Sequence, residues 1–260
     1  MIVLWGPRST GKTVLLANLY WRSSGLNPDW GIFPGQTSEE EQEELRKFSE
    51  QIQRRNEFPA PTKWVESEEQ RISYGFRHKQ TGREFSFESR DRGGFRFEGK
   101  MDAIALNGLY EAEGIVLLID GDRGEEKEID VTQALMQMNV RLFKETGKRV
   151  DGRPLAVCLS KADQYATTPE EYRKLSQHSE KFVRERLSPQ LLDDFDKFYS
   201  DVKYFPVSSV GLELSYGSIR KSVFWDEKLQ PRVTGRGMPV NLLEPFVWIF
   251  ERLEAAQGVR

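Results

Sequence analysis

Four apolar residues, Ile2–Trp5, run straight into the loop "GPRSTGKT" and out of it into a stretch with helical apolar spacing, "VLLANLYW". A continuous apolar run suits a strand covered on both faces, and therefore a parallel sheet with helices on either side. Residues 6–13 match G-x-x-x-x-G-K-[ST] in the strand–loop–helix context that gives this motif its meaning. In such a loop the backbone N–H groups of Ser9, Thr10 and Gly11, with the helix N-terminus, surround phosphate oxygens. Lys12 reaches the β and γ groups, and the Thr13 hydroxyl serves Mg²⁺. Gly6 supplies the tight turn, and Arg8 stands inside the loop.

Further strands are read at "RISYGFRH", "REFSFES", "GIVLLID", "PLAVCLS" and "VKYFPVS". The first two alternate polar and apolar residues across "KQTG" and predict an antiparallel hairpin, whereas "GIVLLID" and "PLAVCLS" are continuous and predict buried parallel strands. Helical patterns are expected over residues 12–23, 38–55, 130–146, 169–187 and 242–256, with acidic residues opening the second of them. The expected fold is one α/β domain over residues 1–260, with a mostly parallel sheet and one antiparallel hairpin. Two irregular surface excursions, at about 24–65 and 213–238, interrupt it.

The net charge of −3 gives no general attraction to nucleic acid or to an acidic membrane. The one cysteine, Cys158, has no partner within the chain and suits a reducing, cytoplasmic setting. Met1 and the apolar residues after it read as a strand and not as a leader.

Two more motifs follow the strands. "DRGG", residues 91–94, comes after the hairpin, where Asp91 can hold Mg²⁺ through water and the Gly94 N–H can meet a γ-phosphate. "SKAD", residues 160–163, comes after the strand ending at Leu159. The Asp163 carboxylate can accept two hydrogen bonds from the N1–H and 2-amino group of guanine, a pair of donors that adenine lacks. The Lys161 stem can lie over the ring, and Ser160 opens the motif. "VSSVG", with Ser208 and Ser209, follows the last strand, where a backbone N–H can meet the guanine O6.

This ordered set resembles the Ras-like P-loop GTPases of the translation-factor-related class, over Met1 to about Gly211 with a closing helix to Ala256. Within them it is most similar to bacterial double-GTPase-type proteins of conflict or signalling systems, whose last segment resembles "GMPVNLLEPFVWIFERLE". The resemblance implies a three-layer P-loop NTPase fold, the Ras-like G domain, that binds GTP or GDP with Mg²⁺. It implies phosphate and magnesium contacts from Lys12 and Thr13, a second switch at Asp91 and Gly94, and guanine recognition by Lys161 and Asp163. A first-switch threonine on magnesium is also implied, with Thr62 in "FPAPTKW" the first choice, Thr37 the second, and a plain Pro-bracketed turn the alternative. A protein effector or activating protein would engage these switches.

The chain departs from that pattern at two positions. Ser160 replaces the usual Asn, or the less common Thr, and weakens one hydrogen bond that braces the base-reading loop. Phe95 stands where a glutamine often orients the attacking water, so hydrolysis is expected to be slow. Arg8, Arg92 and Arg96 are either candidates for an arginine acting in cis or solvated charges. Two other readings stay open: a pseudo-GTPase that binds nucleotide as an interaction module, and a P-loop ATPase or nucleotide kinase.

Overall fold

The computed structural model describes residues 1–7, 9–21, 29–34, 39–59, 71–90, 103–121, 124–177, 179–215, 218–234 and 236–258. The chain runs β1 (Ile2–Trp5), α1 (Lys12–Trp21), β2 (Trp30–Pro34), α2 (Glu39–Arg54), β3 (Arg71–His78), β4 (Glu84–Arg90), α3 (Ala103–Glu111), β5 (Gly114–Asp120) and α4 (Gly124–Thr146). It continues through β6 (Leu155–Ser160), α5 (Pro169–Gln177), α6 (Ser179–Arg184), α7 (Pro189–Phe198) and β7 (Val202–Pro206). The short strands β8 (Ser208–Ser215), β9 (Ser218–Lys221), β10 (Val223–Trp225), β11 (Pro231–Val233) and β12 (Met238–Val240) precede α8 (Glu244–Gly258).

Seven strands form the central sheet in the order β2-β3-β4-β1-β5-β6-β7. From β4 to β7 every pairing is parallel, and β3 lies antiparallel to both β4 and β2. The strands read as continuous apolar runs are the central ones: every residue of β1, β5 and β6 is buried. One apolar cluster fills the face with Val131 and Leu135 of α4 and Leu191 and Phe195 of α7. The other fills the opposite face with Leu15 and Leu16 of α1 and Phe246 and Ile249 of α8. Helices on both faces of a mostly parallel sheet make three layers.

Several elements differ from the sequence reading. β2 was not expected, because Gly31 and Pro34 weaken a strand signal; it adds to β3 as an edge, where a terminal proline is tolerated. α4 begins at Gly124, not residue 130, its acidic start suiting the helix dipole. The run over 169–187 is two helices, α5 and α6, and the Ser179 hydroxyl donates back to the Leu175 carbonyl (2.9 Å) at their junction. α7 was missed although its start is written in the sequence. Ser188 caps it by accepting from the Leu191 N–H (3.2 Å), and Pro189 takes the first turn.

The excursion over 213–238 is not irregular. β8 pairs with β9 and β12, and β10 pairs with β11. Gly211, at φ 73°, makes the close approach possible, since a Cβ there would lie 1.8 Å from the Met238 carbonyl oxygen. Val210 and Val233 pack with Ala17 of α1 and Ile52 of α2 in a third apolar cluster. Arg232 adds a hydrogen bond to Glu57 (2.7 Å), just beyond α2. No helix among the described residues is long and apolar enough to cross a membrane.

Candidate functional site

In an open parallel sheet, ligands bind beyond the carboxyl ends of the strands. The loops after β1, β6 and β7 all leave from that edge, with β5 between β1 and β6. At about 4.8 Å per strand, the loop after β1 and the loop after β6 start roughly 10 Å apart.

The loop after β1 is built around two backbone necessities. Gly6 touches β5 so closely that a Cβ would sit 2.4 Å from the Leu118 carbonyl oxygen. Gly11, at φ 90°, has no described residue within 4 Å of the place a Cβ would take. Ser9 is left-handed at φ 65°, a strained conformation of the sort that clusters at binding sites. Thr10 is fully buried, and its hydroxyl donates to the Pro7 carbonyl (2.9 Å). Lys12 folds back over the loop, its Nζ donating to the Gly6 (2.8 Å) and Pro7 (3.0 Å) carbonyls. Its ammonium therefore sits inside the curl of the loop. Thr13 follows in the first turn of α1, half-buried.

The end of β6 and the turn after it hold Ser160, Lys161 and Asp163. The Ser160 hydroxyl donates to the Ile119 carbonyl on β5 (3.0 Å), so it braces the loop against the neighbouring strand. Lys161 is left-handed at φ 57°, which turns the chain into a short 3-10 helix, Ala162–Tyr165. Its Nζ meets the Asp120 carboxylate at 2.5 Å. Asp120 is an acidic residue ending an otherwise uncharged strand, and its side chain is fully buried. The sequence reading passed it over, although a lone carboxylate at the carboxyl end of a buried strand was the available signal.

Asp163 is 2% exposed and accepts a hydrogen bond from the Ser208 hydroxyl, which in turn accepts from the Gly211 N–H (2.9 Å). The loops after β6 and β7 are further joined by the Ala162 N–H on the Val207 carbonyl (3.0 Å). Burial pushes the Asp163 carboxyl above its ordinary value, and the Ser208 hydrogen bond opposes that only in part. Ser209, next to Ser208 on β8, is half-buried. Asn241 fixes the same corner by donating to the Pro206 carbonyl (2.8 Å).

Gly6, Ser9, Thr10 and Gly11 thus share one loop, which leads into Lys12 and Thr13 at the start of α1. Ser160 at the end of β6, Lys161 and Asp163 just after it, and Ser208 and Ser209 at the start of β8 form a second, linked group on the same sheet edge. Arg8, Thr37, Thr62, Asp91, Arg92, Gly94, Phe95 and Arg96 lie outside the described residues. β4, which leads into "DRGG", runs parallel beside β1. Among the described residues, no group of three or more His, Cys, Asp or Glu side chains could hold a metal ion.

A mostly parallel three-layer sheet whose first strand feeds a G-x-x-x-x-G-K-T loop into a helix defines a P-loop nucleotide-binding protein of the Ras-like fold. Residues 1–215 match the family model Double-GTPase 2, and the chain belongs to that family. Membership carries guanine nucleotide binding with it.

Among solved structures, the chain is similar to the Arl6 BBS3 small GTPase from Trypanosoma brucei with the bound nucleotide analogue GppNp. That match has 13% identity and a TM-score of 0.43, and covers 98% of this chain and 96% of that one. It is also similar to the signal recognition particle receptor SRb-GTP/SRX complex from Chaetomium thermophilum, at 13% identity and TM-score 0.42, covering 83% of this chain and 95% of that one. No curated protein matches the sequence.

Proposed function

We propose that the protein is a cytoplasmic regulatory switch, a single domain with excursions at about 24–65 and 213–238. It binds GTP with Mg²⁺, hydrolyses it slowly, and presents its switch segments to a protein effector or activator. The observation that carries this reading is the buried Asp163 carboxylate, held by Ser208 on the same sheet edge as the Lys12 loop. A buried carboxylate is costly unless it recognises donors, and guanine offers two in parallel.

In this reading Lys12 and the N–H groups of residues 9–13 hold the phosphates. Thr13, Thr62 and Asp91 serve Mg²⁺, and Gly94 senses the γ-phosphate. Arg8 or Arg92 offsets the charge that develops on transfer, while Ser160, Lys161, Asp163, Ser208 and Ser209 frame the base. The Lys12 ammonium within the loop fits a phosphate group. The metal's contribution is to neutralise charge on the β and γ oxygens.

The test is displacement of a fluorescent guanine nucleotide from the purified protein. GTP and GDP should compete at concentrations at least about two orders of magnitude below ATP, because a site built on paired hydrogen bonds rejects a base that lacks them. Equal competition by ATP would return the protein to the ATPase or kinase reading. Phe95, at the place of a water-orienting glutamine, favours one further reading, a nucleotide-binding module without turnover. Single-turnover hydrolysis separates that reading from the slow switch.

A further inference from the structure

Helix α4 has a second, solvent-exposed apolar face, on which Arg149 lies 5.8 Å over the Phe143 ring. Its inward face is Val131, Ala134, Leu135 and Met138, all buried. Its flanks are tied to neighbouring helices. On one side Thr132 donates to Asp194 of α7 (3.0 Å); on the other Arg141 hydrogen-bonds Asn107 of α3 and lies 4.1 Å over the Tyr110 ring. What remains points to solvent, and there stand Ile129 (52% exposed), Met136 (48%), Val140 (53%) and Phe143 (48%). At 100° per residue these four fall within a sector of roughly 60°, a seam as narrow as that of a coiled coil. Scattered exposed apolar residues need no explanation, but an aligned seam on the outer face of a helix does.

We propose that this seam pairs with the same seam of a second copy of the chain, α4 against α4 in antiparallel order about a two-fold axis through Met136. Two features of the sequence select this occupant. Ile129 and Phe143 each lie seven residues from Met136, so a dyad there sets Met136 against the partner's Met136 and Ile129 against the partner's Phe143. The charges have the matching sense. The helix opens with Glu125, Glu126, Glu128 and Asp130 against one basic residue, Lys127, and closes with Lys144, followed by Lys148 and Arg149, against Glu145, which Arg141 pairs within the helix (2.9 Å). Antiparallel pairing sets acidic starts against basic ends, whereas parallel pairing would oppose like charges. The seam is only about 21 Å long, shorter than a standard interface needs, so the dimer is a reversible one with a dissociation constant on the order of micromolar.

Sedimentation of the full chain from about 1 to 200 μM should show a monomer–dimer equilibrium in that range. Met136→Glu should raise the dissociation constant at least about tenfold without changing the melting temperature, and Lys144→Glu should weaken the dimer by placing acid against acid. Cysteine pairing tests the register, and the buried native Cys158 does not interfere. Met136→Cys should form a disulfide-linked dimer by itself. Ile129→Cys and Phe143→Cys should do so only when mixed with each other. A monomer at every concentration gives the seam to a different partner and overturns the proposal. A dimer indifferent to Met136→Glu, or Ile129→Cys cross-linking to itself as readily as Met136→Cys, also overturns it.

Discussion

Asp163 concentrates the chemistry of the site in one residue, since its burial both raises the cost of its charge and gives that charge a use. The sign of its pH dependence follows. Because the folded carboxyl titrates above its ordinary value of 3.8, the folded chain holds this proton to higher pH than the unfolded chain does. Ionisation of Asp163 therefore lowers stability as pH rises through the folded value, and guanine binding, which in the proposed function needs the ionised form, would offset that loss. GTP affinity should accordingly fall on acidification at a higher pH than an ordinary carboxylate would dictate, and Asp163→Asn should abolish that step in a titration from pH 8 to about pH 4.5. The same variant should move the preference toward xanthosine nucleotides, since a carboxamide donates to the oxygen that xanthine carries in place of the 2-amino group. Unchanged base preference in Asp163→Asn would remove Asp163 from the base pocket. Lys12 gives the companion test in the phosphate loop. Lys12→Ala should lose tight triphosphate binding, and Thr13→Ala should lose chiefly its magnesium dependence, both read by fluorescent-nucleotide titration.

Elements are tied to the sheet through contacts that no local sequence signal announces, and α3 is the clearest case. Arg153 donates from one guanidinium nitrogen to the carbonyls of Leu109 (2.7 Å), Tyr110 (3.0 Å) and Ala112 (2.7 Å), closing the C-terminal end of α3, while it pairs with Asp151 at 2.6 Å. Arg153→Ala should lower the unfolding free energy by about 2–4 kcal/mol, since it removes a cap and leaves Asp151, 8% exposed in the intact protein, without its pairing arginine. Urea unfolding with an unchanged slope checks this, and a loss below about 0.5 kcal/mol would show the cap to be incidental. The contrast with α7 explains what was legible in the sequence. Ser188 and Pro189 announce that helix locally, so missing it was a failure to read a written signal. The cap on α3 joins residues more than forty positions apart, so no local pattern encodes it. The same division runs through the site. The Lys12 loop and "SKAD" are contiguous and were read directly. The Lys161–Asp120 pair and the Ser208–Asp163 bond exist only because β5, β6 and β7 are neighbours in the sheet. The excursion over 213–238 was read as irregular because its strands are short. Its order comes from Val210 and Val233 packing on α1 and α2, which is a tertiary contact.

At the scale of the whole molecule, one buried sheet carries the loops after β1, β6 and β7 on one edge, and the proposed function separates nucleotide binding at that edge from turnover. In that reading these loops account for binding, and a preformed binding site by itself accelerates nothing. Turnover depends on what meets the γ-phosphate and the attacking water, and there the sequence offers Phe95 where a glutamine would help. Intrinsic hydrolysis should therefore lie at about 10⁻⁴ to 10⁻² s⁻¹, the interval between unaided Ras-like enzymes and those with an arginine in cis. Arg8 and Arg92 are the candidates for setting the position within it. If either supplies the cis charge, its change to alanine should lower the single-turnover rate by about tenfold or more with triphosphate affinity nearly intact, because a contact made in the transition state affects rate more than ground-state binding. If neither does, both variants hydrolyse at the wild-type rate. The slow reading then requires an activating partner to bring the charge, and Arg8→Gly, by clearing the loop, should enhance that partner's effect. Phe95→Gln tests the premise directly and should raise the intrinsic rate, provided its thermal melt matches the wild type. A wild-type rate of several per second with no partner present would mean that the chain carries a complete catalytic apparatus, and the slow-switch reading would fall.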